Sequence, residues 1–80
     1  MTTIVVHNIH PSVTLQDLTD LFEQAGELWG VFIFNRETNK KSAQITYKNY
    51  DDAVNAIKMY NNKYLDGKML SLHFLPRKQY

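Results

Sequence analysis

The chain has no cysteine among its 80 residues. Disulfides, thiolate nucleophiles and cysteine-built zinc sites are therefore excluded, and stability must come from packing. Proline is scarce: Pro11 and Pro76 each close a β-type run, and none interrupts a central strand. No long apolar stretch exists either, since the longest run is Val31 to Phe34, far short of a bilayer span. No basic, apolar leader precedes Ile4, so nothing argues for secretion. Nor does charge of one sign prevail. Nine Lys+Arg against eight Asp+Glu leave a formal +1, too little for a strong overall field. What is present is an ordinary globular mixture, 44% hydrophobic and 21% charged, which argues against a disordered tail. The length suits a single domain over 1–80, with one modest core.

Ile4-Val5-Val6-His7-Asn8-Ile9 is short and β-branched, which predicts a strand. Thr14 lies three residues before Asp17, a hydroxyl-x-x-acid signal for a helix start. Leu15, Leu18, Leu21, Phe22 and Ala25 follow at helical spacing, and Gly26 marks the stop. A second strand is expected over Leu28 to Phe34, then a polar hairpin connection over Asn35 to Asn39. Ser42 to Tyr47 alternates as a third strand. A second helix begins near Tyr50, capped by Asn49, with Ala53, Ala56, Ile57 and Tyr60 inward. Asn61-Asn62 suits the left-handed conformation that ends it. Asp66-Gly67 turns the chain into a last strand, Met69 to Leu75.

The order β-α-β-β-α-β is the split-βαβ, ferredoxin-like α+β arrangement. Right-handed crossovers put both helices on one face of a four-stranded antiparallel sheet, with the first and third strands central. The other face stays open. Strand parity sends Ile4, Val6, Val31, Ile33, Ala43, Ile45, Tyr47, Leu70, Leu72 and Phe74 to the core. It sends Val5, His7, Phe32, Phe34, Ser42, Gln44, Thr46, Ser71 and His73 to the open face.

Over essentially its whole length the chain resembles the RNA recognition motif family. Ile4 to Ile9 looks like the family's first-strand hexamer, and Lys40-Lys41-Ser42-Ala43-Gln44-Ile45-Thr46-Tyr47 like its third-strand octamer. Ala25-Gly26-Glu27-Leu28, Asp52-Ala53 with Ala56-Ile57, and Asn61 through Leu70 fall at the family's usual spacings. In the family, bases stack on aromatics at the second hexamer position and the third and fifth octamer positions. Here those positions hold Val5, Ser42 and Gln44, and Lys41 replaces the common glycine. The Aly/REF-type mRNA export adaptors share that loss. Ser42 to Tyr47, Asp52 to Asn61 and Leu65-Asp66-Gly67 look like their central and C-terminal segments. That resemblance implies a nuclear adaptor, shuttling to the cytoplasm, that touches RNA weakly and proteins as well.

Phe32 and Phe34 share the open face of an edge strand and could replace the missing platforms, or simply pack together. His7 and His73 fall on neighbouring strands, where they could meet a base or phosphate; plain surface histidines are the commoner case. No third ligand joins them, so no metal is expected. Arg36, Lys40 and Lys41 around the hairpin, with Arg77 and Lys78 after the last strand, border the open face and could touch phosphates. The alternative for these is a solvated hairpin and tail. Asp20 and Glu23 suit the dipole of the first helix or a docking face for a basic peptide. Trp29 either covers one end of the core or anchors a partner. Peptide-binding relatives carry an Arg-x-Phe in the turn before the last strand, where this chain has Lys63-Tyr64-Leu65.

Catalysis finds no footing. The His10-Pro11-Ser12-Val13 loop has neither an arginine nor a glycine-rich phosphate cradle, and no nucleophile stands at base spacing. The sequence therefore reads as a non-catalytic, monomeric module of mRNA processing and export, without cofactor or membrane partner. It is expected to bind single-stranded RNA weakly through Val5, His7, Phe32, Phe34, Ser42, Gln44, His73 and the hairpin and tail basics. The competing reading is a protein-interaction module of an RNA-processing complex, using Asp20, Glu23 and Trp29 or the same sheet surface.

Overall fold

The Thr14-x-x-Asp17 signal closes as a reciprocal cap. The Thr14 hydroxyl accepts from the Asp17 N–H at 3.1 Å, and the Asp17 carboxylate accepts from the Thr14 N–H at 3.0 Å. The Thr14 N–H, and after it the Thr14 hydroxyl, lowers the Asp17 carboxyl from its ordinary value. The computed structural model describes residues 1–37 and 40–76, with only the backbone of 36 and 37. Behind the cap runs α1 (Leu15–Phe22), tightening into a 3₁₀ turn over Glu23–Ala25 that ends at Gly26. The strands are β1 (Thr2–Ile9), β2 (Leu28–Glu37), β3 (Lys40–Tyr47), β4 (Tyr64–Leu65), β5 (Lys68–Met69) and β6 (Ser71–Phe74). Helix α2 (Tyr50–Tyr60) lies between β3 and β4.

The main sheet is antiparallel in the order β2-β3-β1-β6, so the first and third strands are central as expected. Both helices cover one face. Leu18 and Phe22 of α1 and Ala53, Ala56 and Tyr60 of α2 share a single core with Ile4, Val6, Ala43, Ile45, Tyr47 and Leu72.

Two tyrosines fasten α1 to this core. A helix leaves its last carbonyls without intrahelical donors. The Tyr47 hydroxyl donates to the Phe22 carbonyl at 2.7 Å, and the Tyr60 hydroxyl to the Leu21 carbonyl at 2.9 Å. Gly26 is needed for space, because a Cβ there would run into the Asp52 side chain on α2. Gly26→Ala is expected to cost about 1–3 kcal/mol, read as a lower urea midpoint with an unchanged slope.

Three local features depart from the sequence expectation. Asn8 takes a left-handed conformation (φ 65°) and forms a bulge in β1, its side-chain amide donating to the Met69 carbonyl at 2.8 Å. The extra residue returns Ile9 to the core face, against strict alternation. The expected last strand, Met69 to Leu75, is broken at Leu70. That residue's N–H bonds to Lys63 and its carbonyl to Asn62, both in the loop after α2, so it cannot pair along the sheet. Tyr64–Leu65 and Lys68–Met69 instead form their own hairpin, turned at Asp66 (φ 50°) and Gly67 (φ 83°). Asn62 (φ 65°) supplies the left-handed residue after α2, while Asn49 sits at the cap position without a side-chain bond.

Phe74 corrects the core list. It pairs with Ile4, yet at the sheet's corner it remains 39% exposed and stacks on the Tyr50 ring at 5.8 Å.

Candidate nucleic-acid interface

Strand register writes the open face as rows. Across β2, β3, β1 and β6 the first row reads Phe32, Gln44, Val5, His73. The second reads Phe34, Ser42, His7, Ser71, with the β3–β1 step made by the His7–Ser42 bond. Beyond the first row, the Thr3 and Thr46 hydroxyls bond each other at 2.8 Å. No aspartate or glutamate occurs in these rows. A polyanion therefore meets no repulsion there.

The two phenylalanines stack on each other, ring centres 6.0 Å apart and planes 23° from parallel. Phe32 is 62% exposed, and Phe34 is half-buried. Both rings stand on edge strand β2, beside the polar Gln44 and Ser42 of the central strand. Val5 behaves otherwise. It lies on the open face as parity requires, but is only 5% exposed, because Gln44 and His73 flank its small side chain from both neighbouring strands. It therefore floors the depression between them and offers little surface of its own.

His7 and His73 meet. Their Nε2 atoms are 2.9 Å apart and their rings nearly stacked, at 5.0 Å between centres. The hydrogen positions follow from the partners. A carbonyl can only accept, so His73 Nδ1, 2.8 Å from the Phe74 carbonyl, carries a hydrogen. In neutral rings His73 Nε2 then accepts from His7 Nε2, and His7 Nδ1 accepts from the Ser42 hydroxyl at 2.9 Å. A directional chain Ser42–His7–His73–Phe74 thus crosses the sheet. It braces one side of an open depression of about 390 Å³, with Phe34 and Lys40 on its lining. Leu75 and Pro76 also line it. Sequence reasoning used Pro76 only as a strand stop, and its position after an edge strand was the available signal.

Lys41 lies at the edge of this face, sharing a small depression with His7, Lys40 and Ser42. It keeps the core-side parity of Ala43 and Ile45, and its ammonium donates to the carbonyls of Pro11 and Val13 in the β1–α1 loop. It thus borders the open face as expected while its ammonium braces that loop. The Arg36 side chain, Arg77 and Lys78 lie outside the described residues.

On the helix side, Asp20 and Glu23 are exposed, with Gln16 donating to the Asp20 carboxylate at 2.7 Å. Trp29 does not close the end of the core. It occupies a bulge between Leu28 and Gly30, opposite β3, and stays 63% exposed.

The RNA recognition motif profile matches residues 4–71. THO complex subunit 4C of Arabidopsis thaliana is 33% identical over 92% of this chain and 26% of its own length. Polymerase delta-interacting protein 3 of Homo sapiens is 37% identical over 84% of the chain and 15% of its own. Among solved structures, Pes4 RRM3 superposes with a TM-score of 0.92 at 31% identity, covering 100% of this chain and 98% of that one. The chain thus spans about a quarter or less of these two curated relatives, but nearly all of the solved domain. Profile, register and superposition agree, and the chain belongs to the RNA recognition motif family.

Proposed function

We propose that this domain is a non-catalytic, monomeric module that binds single-stranded RNA weakly on its open sheet face. The carrying observation is the acid-free face itself, where the stacked Phe32 and Phe34 adjoin a depression braced by His7 and His73. Bases stack on the phenyl rings, Gln44 and Ser42 offer hydrogen bonds between them, and Lys40 meets phosphate at the rim. Low affinity follows from where the rings are. The two central strands carry Val5, Ser42 and Gln44 in their open rows, and each absent base–ring stack forgoes roughly 1–3 kcal/mol. Likeness to THO complex subunit 4C supports a place in nuclear mRNA processing and export, with movement to the cytoplasm as part of the same reading.

Salt tests it. Anisotropy of a labelled mixed-sequence single-stranded RNA should report binding that falls steeply between low and near-physiological salt. About three to five phosphate contacts from the hairpin and tail basics correspond to a log–log slope of roughly −2 to −3.5. Lys40→Glu should weaken binding severalfold and flatten that slope by about 0.7 or more. Salt-independent binding, or binding indifferent to Lys40→Glu, would remove the phosphate part of the proposal.

A further inference from the structure

The chain is electrostatically divided. All nine Lys+Arg residues follow Asn35, while the stretch from Thr14 to Asn35 holds Asp17, Asp20, Glu23 and Glu27 and no basic residue. Two of those acids are committed to the fold. Asp17 closes the α1 cap, and Glu27 pairs with Lys48 at 2.6 Å. Asp20 and Glu23 remain exposed, and no ion pair engages either among the described residues.

Beside them lies an apolar groove of about 290 Å³ between α1 and the start of β2. Leu15 and Thr19 form its helix wall, and Leu28, Trp29 and Val31 its strand wall. Leu15 is 52% exposed and Trp29 63%. The row Leu15–Thr19 continues along the helix surface to Glu23, four residues on, so negative charge borders the apolar strip. A large indole held in water beside this acid-bordered strip is costly unless something covers it.

We propose that this groove docks an arginine-bearing segment of a partner protein, with a guanidinium stacked on the Trp29 indole and aliphatic side chains against Leu15. Charge complementarity selects the occupant. Asp20 and Glu23 repel a phosphate backbone but attract a cation. Tryptophan is the best cation–π surface among side chains. Arginine suits it better than lysine, because its guanidinium is planar, weakly hydrated and able to pair a carboxylate edge-on while stacking. The groove is on a different surface from the open rows, so this inference stands or falls independently of RNA binding.

Trp29 is the chain's single tryptophan, so its own fluorescence reports on the groove. Titration with a short peptide of arginine interspersed with leucine should change the emission saturably. A lysine counterpart should bind more weakly, and a glutamate counterpart should not bind. By anisotropy of the labelled arginine peptide, Trp29→Ala should lose roughly tenfold in affinity. The double reversal D20K/E23K should lose at least as much while keeping the indole. Phe32→Ala should bind the peptide as the parent does, and a single-stranded RNA should leave Trp29 emission unchanged. An absence of saturable change up to millimolar peptide would overturn the proposal. So would equal binding by D20K/E23K, equal binding of the glutamate peptide, a loss in Phe32→Ala, or an RNA-driven change in Trp29 emission.

Discussion

Phe32→Ala is expected to weaken single-stranded RNA binding by about 5- to 150-fold, the span of one lost base–ring stack at roughly 1–3 kcal/mol. Phe32 is the first ring to test because it is 62% exposed, so truncating it spares the core. Phe34 is half-buried and shares the stack at 6.0 Å, and truncating both should lose more than either alone but less than the sum. The reason for a large effect is arithmetic. With Val5, Ser42 and Gln44 in the central rows, the two phenylalanines are the aromatic six-membered rings on the described open face. Phe32→Leu separates stacking from mere apolar cover. It keeps most of the apolar area and removes the π-face, so it should behave like alanine if a base sits there. Amide NMR spectra with and without RNA would give affinity and location together. Parent-like binding by Phe32→Leu would show that the ring does not stack, and unshifted sheet amides would place the RNA elsewhere.

The largest stability effect is expected at Phe22. Its side chain is fully buried, meets the Tyr60 ring edge-on at 5.0 Å, and its carbonyl accepts the Tyr47 hydroxyl. Phe22→Ala should cost about 3–5 kcal/mol. A domain of this size commonly holds roughly 4–12 kcal/mol in total, so the variant should be substantially less folded at room temperature. Urea melts with far-ultraviolet circular dichroism measure it, and a loss below about 1 kcal/mol would contradict the packing described. The same site gives a pH signature. Burial pushes the Tyr47 hydroxyl far above the ordinary tyrosine value, and Tyr60 shifts the same way. A group whose pKa is raised by folding contributes its stability fully below the unfolded value of about 10. That contribution is lost as pH rises above it. Tyr47→Phe should therefore melt earlier at neutral pH, where the Phe22 carbonyl loses its donor. It should also lose less additional stability than the parent between pH 9 and 11.

Much of the fold was legible because its signals are local. Thr14 and Asp17 lie one helical turn apart, and period-two alternation fixed which residues of β3 face the helices. Those same rules placed Phe32, Gln44 and Ser42 on the open face. Where sequence reasoning failed, hydrogen-bond partners outside the element decided. Asn8 bulges with its amide on Met69, and so re-aims Ile9. Leu70 breaks the last strand because Asn62 and Lys63 take its hydrogen bonds. The Lys41 ammonium is drawn to two carbonyls of the β1–α1 loop, which the sequence pattern could not foresee.

Spacing within single elements was enough to give the order of the two helices and the four strands of the main sheet, the alternation of β3, and the placing of Phe32, Phe34, Ser42 and Gln44 on one face. That His7 and His73 share a hydrogen bond, that Val5 is covered and that Trp29 is not came from the folded arrangement alone. Those outcomes turn on register between strands and on bulges, where a shift of one residue moves a side chain to the opposite face.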